Sequence, residues 1–304
     1  MKIPLTGIIP PLVTPLLDNN TLDIEGLEKL IQHTIDGGVH GIFILGTTGE
    51  FASLGYDIRR ELISRTCKIV NGRVPVLAGI SDSAFSESLH LARSAAESGA
   101  DAVVLTPPYY FAPGQPELLE YLKRIMIQMP LPLFIYNMPV HTKVIFQPET
   151  VRAAADIPGI IGMKDSSSDL GYFKQIRYAL KDHRDFTFLI GQEEILAEFV
   201  LTGGHGGVNG GANMFPRLYV NLYNAAVNHD FETINVLQQK VMQISTTIYT
   251  VGHHGSSYLK GVKCVLSVLG ICNDFMAEPF HRFKEPERLK IIQLLEDLNY
   301  RDLL

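Results

Sequence analysis

The feature of this sequence that most constrains its fold is a series of eight short apolar segments between residues 7 and 208. Most of them are continuous apolar runs, without the polar-apolar alternation of a half-exposed strand. Continuous runs are typical of parallel strands that are covered on both faces. The predicted strands are Gly7–Val13, Gly41–Leu45, Val74–Ala78, Ala102–Leu105, Leu133–Tyr136, Ile160–Met163, Phe186–Ile190 and Gly206–Val208.

Helical patterns separate these strands. In the first of them, Ile24, Leu27, Leu30 and Ile31 have the spacing of one helical face, and Asp23 is placed to cap its start. Eight strands that alternate with helices over about 220 residues predict a closed (β/α)₈ barrel, the TIM barrel. An open, doubly wound α/β sheet is the alternative fold.

After Asn213 the strand signals stop, and the rest of the chain has helical patterns. We take the first of these helices as the eighth helix of the barrel. The sequence therefore predicts a barrel over residues 1–225 that carries the active site, and a helical C-terminal extension over residues 226–304 that packs on it. The predicted helices are Leu218–Asn228, Phe231–Tyr249, Ser256–Leu269 and Glu285–Leu298.

Composition excludes several classes of protein. The 304 residues are 46% hydrophobic and 19% charged, with a net charge of -6, and no basic cluster suggests a nucleic-acid or membrane surface. No apolar stretch reaches the roughly 18 residues of a membrane span, and the N-terminus lacks the apolar core of a signal peptide. Because Cys67, Cys264 and Cys272 form no CxxC pair, we expect reduced thiols in a cytoplasmic protein.

A lysine stands at the end of the sixth predicted strand, in the segment Ile160–Asp165. Lysine is almost never fully buried without a partner. Desolvation lowers the pKa of a lysine, and a neutral amine is a nucleophile that forms imines with ketones and aldehydes. Lys164 is therefore a candidate nucleophile. Taken alone, it could also be a lysine whose stem is buried and whose ammonium group reaches solvent.

Polar groups follow the other predicted strands, at the end of the barrel where active sites lie. Their hydroxyls, phenols and carboxylates converge on one face together with the lysine. The adjacent pair His253 and His254 is better explained as a surface loop than as a metal site, because neighbouring residues of a helix point to different faces. The strand-end segments are Gly46–Glu50, Thr106–Tyr110, Tyr136–Pro139, Gly191–Glu194 and Gly210–Asn213.

Together these motifs resemble the superfamily of dihydrodipicolinate synthase and N-acetylneuraminate lyase, which are class I, Schiff-base lyases. The resemblance covers nearly the whole chain and is specific as a set, although each motif alone is weak. The segments that carry it are GIIPPLVTP at Gly7–Pro15, GTTGE at Gly46–Glu50, YNMP at Tyr136–Pro139, IGMKD at Ile161–Asp165 and the glycine-rich stretch Gly203–Asn213.

The resemblance implies a role for each matching residue. Lys164 would form the imine with the C2 ketone of pyruvate or another 2-oxo acid, and Tyr136 would shuttle the proton. Thr47 would link Tyr136 into a hydroxyl relay that Tyr109 completes from a neighbouring subunit. Thr48 and the loop amides would hold the 2-oxo acid carboxylate. The further substrate-binding residues that we expect are Gly46, His141, Ser166, Glu193, Glu194 and Gly210.

At some positions the sequence departs from the synthase. His141 stands where the synthase typically has the arginine that binds the carboxylate of its aldehyde substrate. Glu193 and Glu194 resemble the acidic pair by which sialic acid lyases hold sugar hydroxyls, and Ser166 matches a hydroxyl position of those lyases. Carboxylates accept hydrogen bonds from hydroxyls and repel a second carboxylate. These differences favour a sugar-derived substrate.

We therefore expect a lyase that cleaves a 2-oxo-3-deoxy sugar acid to pyruvate and an aldehyde through a Lys164 imine. The alternatives are dihydrodipicolinate synthase (4-hydroxy-tetrahydrodipicolinate synthase), N-acetylneuraminate lyase, a sugar-acid dehydratase, and a sensor that binds a 2-oxo acid without turnover. The resemblance implies no cofactor and no metal. Its partners would be small-molecule substrates and further copies of the chain in a dimer or tetramer, with neither nucleic acid nor membrane involved.

Overall fold

The computed structural model describes residues 1–18 and 20–303, and it has eight parallel β-strands in this part of the chain. Each lies within or overlaps a strand predicted from the sequence. The differences are at the ends, where β1 is shorter and β6 extends through Lys164 to Asp165. The strands are β1 Gly7–Ile8, β2 Ile42–Ile44, β3 Val76–Gly79, β4 Ala102–Leu105, β5 Leu133–Asn137, β6 Ile160–Asp165, β7 Thr187–Ile190 and β8 Gly206–Gly207.

The order of the strands is that of a TIM barrel, so the prediction is confirmed and the open doubly wound sheet is wrong. Strands β2 to β8 pair in sequence order, and β8 pairs with β1. Just beyond β1, a parallel bridge between Pro11 and Phe43 brings the first strand back to β2. There the Leu12 N–H donates to the Phe43 carbonyl at 2.8 Å and the Phe43 N–H donates to the Pro10 carbonyl at 3.0 Å.

The described residues form twelve α-helices, and α9 follows β8 as the eighth helix of the barrel. The four helices predicted after residue 213 correspond to α9–α12. The helices are α1 Ile24–Asp36, α2 Tyr56–Val70, α3 Phe85–Ser98, α4 Gln115–Met126, α5 Pro139–Thr142, α6 Pro148–Ala155, α7 Leu170–Ala179, α8 Leu196–Leu201, α9 Pro216–Val227, α10 Phe231–Thr247, α11 Ser257–Val268 and α12 Glu285–Leu298.

Apolar side chains pack in two layers. The larger layer lies between the sheet and the helices, as parallel strands covered on both faces require. The smaller fills the interior of the barrel and includes Ile9, Phe43, Val104, Phe134 and Leu189. Tyr136 belongs to this interior layer, so its phenol group reaches the active-site end of the barrel from a packed position.

The C-terminal helices are fixed to the barrel by a buried ion pair. Lys263 of α11 pairs with Glu50 of the loop after β2, and both side chains are 1% exposed. The Ala277 N–H donates to the second oxygen of Glu50 at 2.8 Å, and Lys263 Nζ donates to the Phe275 carbonyl at 2.5 Å. The loop that carries Thr47 and Thr48 is therefore held from outside the barrel.

Within residues 1–18 and 20–303, no helix is long and apolar enough to cross a membrane. The three cysteines are unpaired, and burial raises the pKa of Cys67 and Cys264 to about 11 and that of Cys272 to about 12. His253 and His254 are exposed residues of a turn between α10 and α11, as predicted.

Candidate active site

Lys164 and Tyr136 are neighbours across the paired strands β5 and β6, in register with each other. Lys164 is 5% exposed and Tyr136 is 3% exposed. The Lys164 Nζ lies 4.0 Å from the centre of the Tyr136 ring and 5.3 Å from the centre of the Phe43 ring. An amine held against two aromatic rings, with little access to solvent, is a suitable nucleophile for a carbonyl group.

The pKa of the Tyr136 phenol is lower than the ordinary value for tyrosine. Burial opposes this shift, but the positive charge of Lys164 and hydrogen bonding to Ser166 and Thr47 outweigh it. Ser166 Oγ donates to the Tyr136 hydroxyl at 3.4 Å. A phenol with a lowered pKa exchanges protons more readily near neutral pH. The lysine, the tyrosine and two hydroxyls thus form one cluster that is able to move a proton.

The loop after β2 brings Thr47 and Thr48 to this cluster. Glu50 has a positive φ of 59°, and the loop closes with hydrogen bonds from the Gly49 N–H to the Gly46 carbonyl at 3.1 Å and from Thr14 Oγ1 to the Gly49 carbonyl at 2.7 Å. Gly46 lies under the loop, where a Cβ would come within 2.6 Å of the Phe43 ring. Its backbone shapes the loop, and the two threonine side chains face the cavity.

A cavity of about 230 Å³ lies over Lys164 at the carboxyl ends of the strands. All the site residues predicted from the sequence line it except Gly46 and Tyr109. Predicted residues that line it are Thr47, Thr48, Tyr136, His141, Lys164, Ser166, Glu193, Glu194 and Gly210.

An adjoining chamber of about 590 Å³ shares Thr47, Met138, His141 and Tyr258 with this cavity. Tyr109 lines the chamber, with its ring centre 6.5 Å from that of Phe51. Within the single chain, Tyr109 therefore lies apart from the Lys164 cavity. The role of Tyr109 across a subunit boundary therefore stays a prediction.

The two glutamates after β7, Glu193 and Glu194, lie in different environments. Glu193 is 4% exposed, and its two oxygens accept hydrogen bonds from the Tyr219 hydroxyl and the Gly211 N–H, each at 2.9 Å. Burial raises the pKa of Glu193 to about 7. Glu194 is half-buried and accepts a hydrogen bond from Gln192 Nε2 at 2.6 Å. Glu194 is therefore the more accessible of the two carboxylates.

Two tyrosines of the cavity wall were missed by the sequence analysis. Tyr249 and Tyr258 come from the C-terminal helical region and line the cavity beside the barrel residues. Tyr258 lies next to the loop after β2, with its hydroxyl 3.0 Å from Thr48 Oγ1. An aromatic residue in an amphipathic helix normally packs in the core, so only the docking of this helix reveals the contact.

Comparison with known proteins shows the family of the chain. The sequence profile of the dihydrodipicolinate synthetase family matches residues 4–298. The chain belongs to this family. Its members are lyases of the class I aldolase type, and the protein is accordingly an enzyme of that type.

Relatives of the dihydrodipicolinate synthetase family resemble the chain over nearly its whole length. The 4-hydroxy-tetrahydrodipicolinate synthase of Ruthia magnifica subsp. Calyptogena magnifica is 32% identical, over 97% of this chain and 97% of the relative. The solved structure of dihydrodipicolinate synthase from Bacteroides thetaiotaomicron is 62% identical and superposes with a TM-score of 0.96, over 98% of this chain and all of the other.

A third relative was solved with a ligand. YagE, a prophage protein of E. coli K12 that belongs to the dihydrodipicolinic acid synthase family, was crystallised in complex with pyruvate. It is 29% identical, with a TM-score of 0.92, over 97% of this chain and 99% of YagE. The family therefore includes a protein of this fold that binds the 2-oxo acid expected from the sequence.

Proposed function

We propose that this enzyme cleaves a 2-oxo-3-deoxy sugar acid to pyruvate and an aldehyde through an imine on Lys164. The main support for this proposal is the small number of positively charged side chains in the cavity. Among the described residues that line it, Lys164 is the only lysine or arginine. Partial burial, with the nearby charge of Lys143, lowers the pKa of His141, so this histidine is a poor cation at neutral pH. A second carboxylate on the aldehyde half would therefore lack a permanent positive partner.

The chemistry starts at the C2 ketone of the substrate. The Lys164 amine adds to C2 and water leaves, which gives a protonated imine that withdraws electrons. Tyr136 gives its proton to the departing water, and the phenolate then takes the proton of the C4 hydroxyl as the C3–C4 bond breaks, so that the aldehyde leaves and an enamine remains. Protonation of C3 and addition of water then release pyruvate and the free amine. Ser166 and Thr47 support the proton transfers through their hydrogen bonding to Tyr136.

The side of the cavity beyond Lys164 suits hydroxyl groups. Gln192 and Glu194 lie there, and Ser166 Oγ is close to the backbone of Gly191, where a Cβ would come within 2.1 Å of it. Carboxylate and amide oxygens accept hydrogen bonds from a polyol, and a site built in this way rejects analogues that leave those acceptors unpaired. We assign the direct hydroxyl contacts to Glu194 and Gln192, because both are half-buried, whereas Glu193 is buried and both of its oxygens already accept hydrogen bonds.

Dihydrodipicolinate synthase is the second candidate, and the names of the relatives favour it. The protein from Bacteroides thetaiotaomicron, 62% identical, carries that name, as does the relative from Ruthia magnifica under the form 4-hydroxy-tetrahydrodipicolinate synthase. The two candidates share the imine with pyruvate and differ in the aldehyde. The aldehyde half of the site therefore decides between them.

The deciding experiment measures both reactions with the same enzyme preparation. We expect kcat/KM for cleavage of 2-oxo-3-deoxy sugar acids to exceed kcat/KM for condensation of pyruvate with aspartate semialdehyde. His141→Arg should shift the ratio toward the semialdehyde, because a guanidinium binds a carboxylate through two hydrogen bonds. Efficient condensation by the wild-type enzyme, without cleavage of any sugar acid tested, would assign the chain to the synthase.

A pair of glutamate variants tests the hydroxyl contacts. Glu194→Ala should raise KM for the sugar acid about tenfold and leave binding of pyruvate nearly unchanged, because only the sugar half loses a partner. Glu198→Ala is the matched control, since Glu198 is an exposed residue of α8 outside the cavity. Equal effects of Glu194→Ala on both ligands would remove Glu194 from the polyol site.

A further inference from the structure

A cluster of one buried glutamate and three tyrosines lies at the wall of the Lys164 cavity. Glu193, Tyr249 and Tyr258 line the cavity, and Tyr219 is fully buried behind them. Glu193 accepts hydrogen bonds from Tyr219 and Gly211. The rings of Tyr249 and Tyr258 meet edge to face, with their centres 4.8 Å apart. The groups that face Glu193 are the phenols of Tyr219 and Tyr249, the Gly211 N–H and the neighbouring Glu194, and Lys164 and His141 line the same cavity.

Two hydroxyls of the cluster lie against the loop after β8. A Cβ at Gly210 would come within 1.6 Å of the Tyr258 hydroxyl, and a Cβ at Gly211 would come within 1.9 Å of the Tyr219 hydroxyl. Both positions therefore require glycine, because any side chain would displace a tyrosine. The backbone of Gly210 and Gly211 is thus held between the phenols and the carboxyl group of Glu193.

Tyr258 connects this cluster to the loop after β2. Its hydroxyl is 3.0 Å from Thr48 Oγ1, and both groups line the cavity. A hydroxyl has one proton to donate and two lone pairs to accept with. When Tyr258 donates to Thr48 Oγ1, the proton of Thr48 is free to point into the cavity, toward an anionic group of the substrate.

We propose that Tyr258 is a positioning residue for the carboxylate subsite, and that Glu193 supports it there through Tyr249 and through the backbone of Gly210 and Gly211. Tyr258 orients the Thr48 hydroxyl toward the carboxylate of the 2-oxo acid without touching the reacting atoms. This inference rests on the proposed function, in which Thr48 binds that carboxylate.

The charge of Glu193 affects the same subsite. Its carboxyl group lies beside Glu194 in the same cavity wall as Tyr136, His141 and Lys164. Burial raises the pKa of Glu193 to about 7, so the group loses its proton near neutral pH. An ionised Glu193 repels a carboxylate bound in the cavity, whereas a protonated Glu193 does not.

The test uses the wild-type enzyme and Tyr258→Phe, trapped on Lys164 with borohydride at a series of pyruvate concentrations. We expect the half-saturating pyruvate concentration to rise about tenfold in Tyr258→Phe, with the same maximum extent of trapping. Hydroxyacetone has a ketone but no carboxylate, so its trapping should be equal in the two proteins.

Tyr121→Phe is the control, since Tyr121 lies on α4 outside both cavities and its hydroxyl is buried.

The outcomes separate this inference from the proposed function. Absence of trapping in the wild-type enzyme contradicts the proposed function, and this inference with it. Normal trapping in the wild-type enzyme with an unchanged half-saturation in Tyr258→Phe contradicts this inference alone. An equal loss for pyruvate and hydroxyacetone also contradicts it, because the effect would then be independent of the carboxylate.

Glu193→Gln gives a second measurement in case Tyr258→Phe folds poorly. The amide keeps the volume of the side chain and an acceptor for Gly211 but cannot ionise. The half-saturating pyruvate concentration of the wild-type enzyme, divided by that of Glu193→Gln, should rise about threefold or more between pH 6 and pH 8. A ratio that is the same at both pH values would contradict the role of Glu193.

Discussion

At the scale of single residues, the site depends on an amine and a phenol placed side by side by strand register. Lys164 and Tyr136 are paired positions of β6 and β5, so their side chains lie on the same face of the sheet, side by side. The charge of the lysine lowers the pKa of the tyrosine against the opposing effect of burial. A nucleophile and a proton carrier are thus held together by the backbone pairing of two buried strands.

Replacing the phenol tests the proton transfer. Tyr136→Phe removes one hydroxyl and should lower kcat by about 10² to 10⁴, which is the usual contribution of a general acid–base group. Pyruvate binding should change much less, because the imine forms on Lys164. Steady-state kinetics measure both quantities, and a loss found mainly in KM would make Tyr136 a binding residue.

The buried carboxyl group of Glu193 should make stability depend on pH. Burial raises its pKa from 4.5 to about 7 in the folded chain. Between these pH values the folded chain holds a proton that the unfolded chain has released. The free energy of unfolding therefore falls as pH rises through this interval, by about 3 kcal/mol from this group.

Urea unfolding of the wild-type protein and of Glu193→Gln at pH 5 and pH 8 measures this effect. The difference in unfolding free energy between the two proteins should change in favour of Glu193→Gln at the higher pH. Titration of the other acidic groups affects both proteins and cancels in the comparison. A difference that stays constant from pH 5 to pH 8 would show that Glu193 is ionised throughout.

At the scale of secondary-structure elements, the strand-end loops depend on the C-terminal helices. Glu50 ends the GTTGE motif and is paired with Lys263 of α11, where both side chains are almost inaccessible to solvent. Burying two charges is costly, but removing one partner of a buried pair leaves an uncompensated charge. The C-terminal helices therefore help to hold Thr47 and Thr48 in place. The division into a barrel of residues 1–225 and an extension of residues 226–304 remains a prediction.

A lysine substitution tests this dependence. Lys263→Met should lower the free energy of unfolding by about 3 to 5 kcal/mol, because the charge of Glu50 is left unpaired in the interior. The double variant Glu50→Gln with Lys263→Met should recover much of this loss. Lys29→Met is the control, since Lys29 pairs with Glu25 on the exposed face of α1 and should cost under about 1 kcal/mol. Equal losses for Lys263→Met and Lys29→Met in chemical denaturation would contradict the argument.

The barrel strands were predictable from the sequence because each buries both of its faces. Ala102–Leu105 forms a strand with the predicted bounds, and Lys164 was identified from the apolar run that precedes it. The contact of Tyr258 with Thr48 joins residues 210 positions apart. It depends on how α11 packs on the barrel, which periodicity does not specify. The hydrogen bonds that occupy Glu193 were unpredictable for the same reason, since Tyr219 lies in α9.

At the scale of the whole molecule, the loop after β4 exposes two large aromatic side chains. Tyr110 is 82% exposed and Phe111 is 84% exposed, next to Tyr109 in the chamber that adjoins the cavity. Adjacent exposed aromatic residues are typical of surfaces that are buried in an assembly. This loop is a suitable place for a subunit boundary at which Tyr109 acts.

We expect the active enzyme to be at least a dimer and, from the family resemblance, a tetramer. Light scattering at the protein concentration of the assay measures the mass of the active species. Activity per chain should fall on dilution as the assembly dissociates, because Tyr109 would be lost from the relay of the neighbouring subunit. A monomer with full activity would remove Tyr109 from its proposed role.

Borohydride trapping shows directly whether Lys164 forms an imine with pyruvate. The wild-type enzyme is incubated with pyruvate, reduced, digested and analysed by mass spectrometry, with Lys164→Ala and a sample without pyruvate treated in parallel. We expect a reduced pyruvate adduct on Lys164 in the wild-type enzyme only, and loss of turnover in a folded Lys164→Ala variant. An adduct on another lysine, or Lys164→Ala activity within about tenfold of wild type, would contradict it.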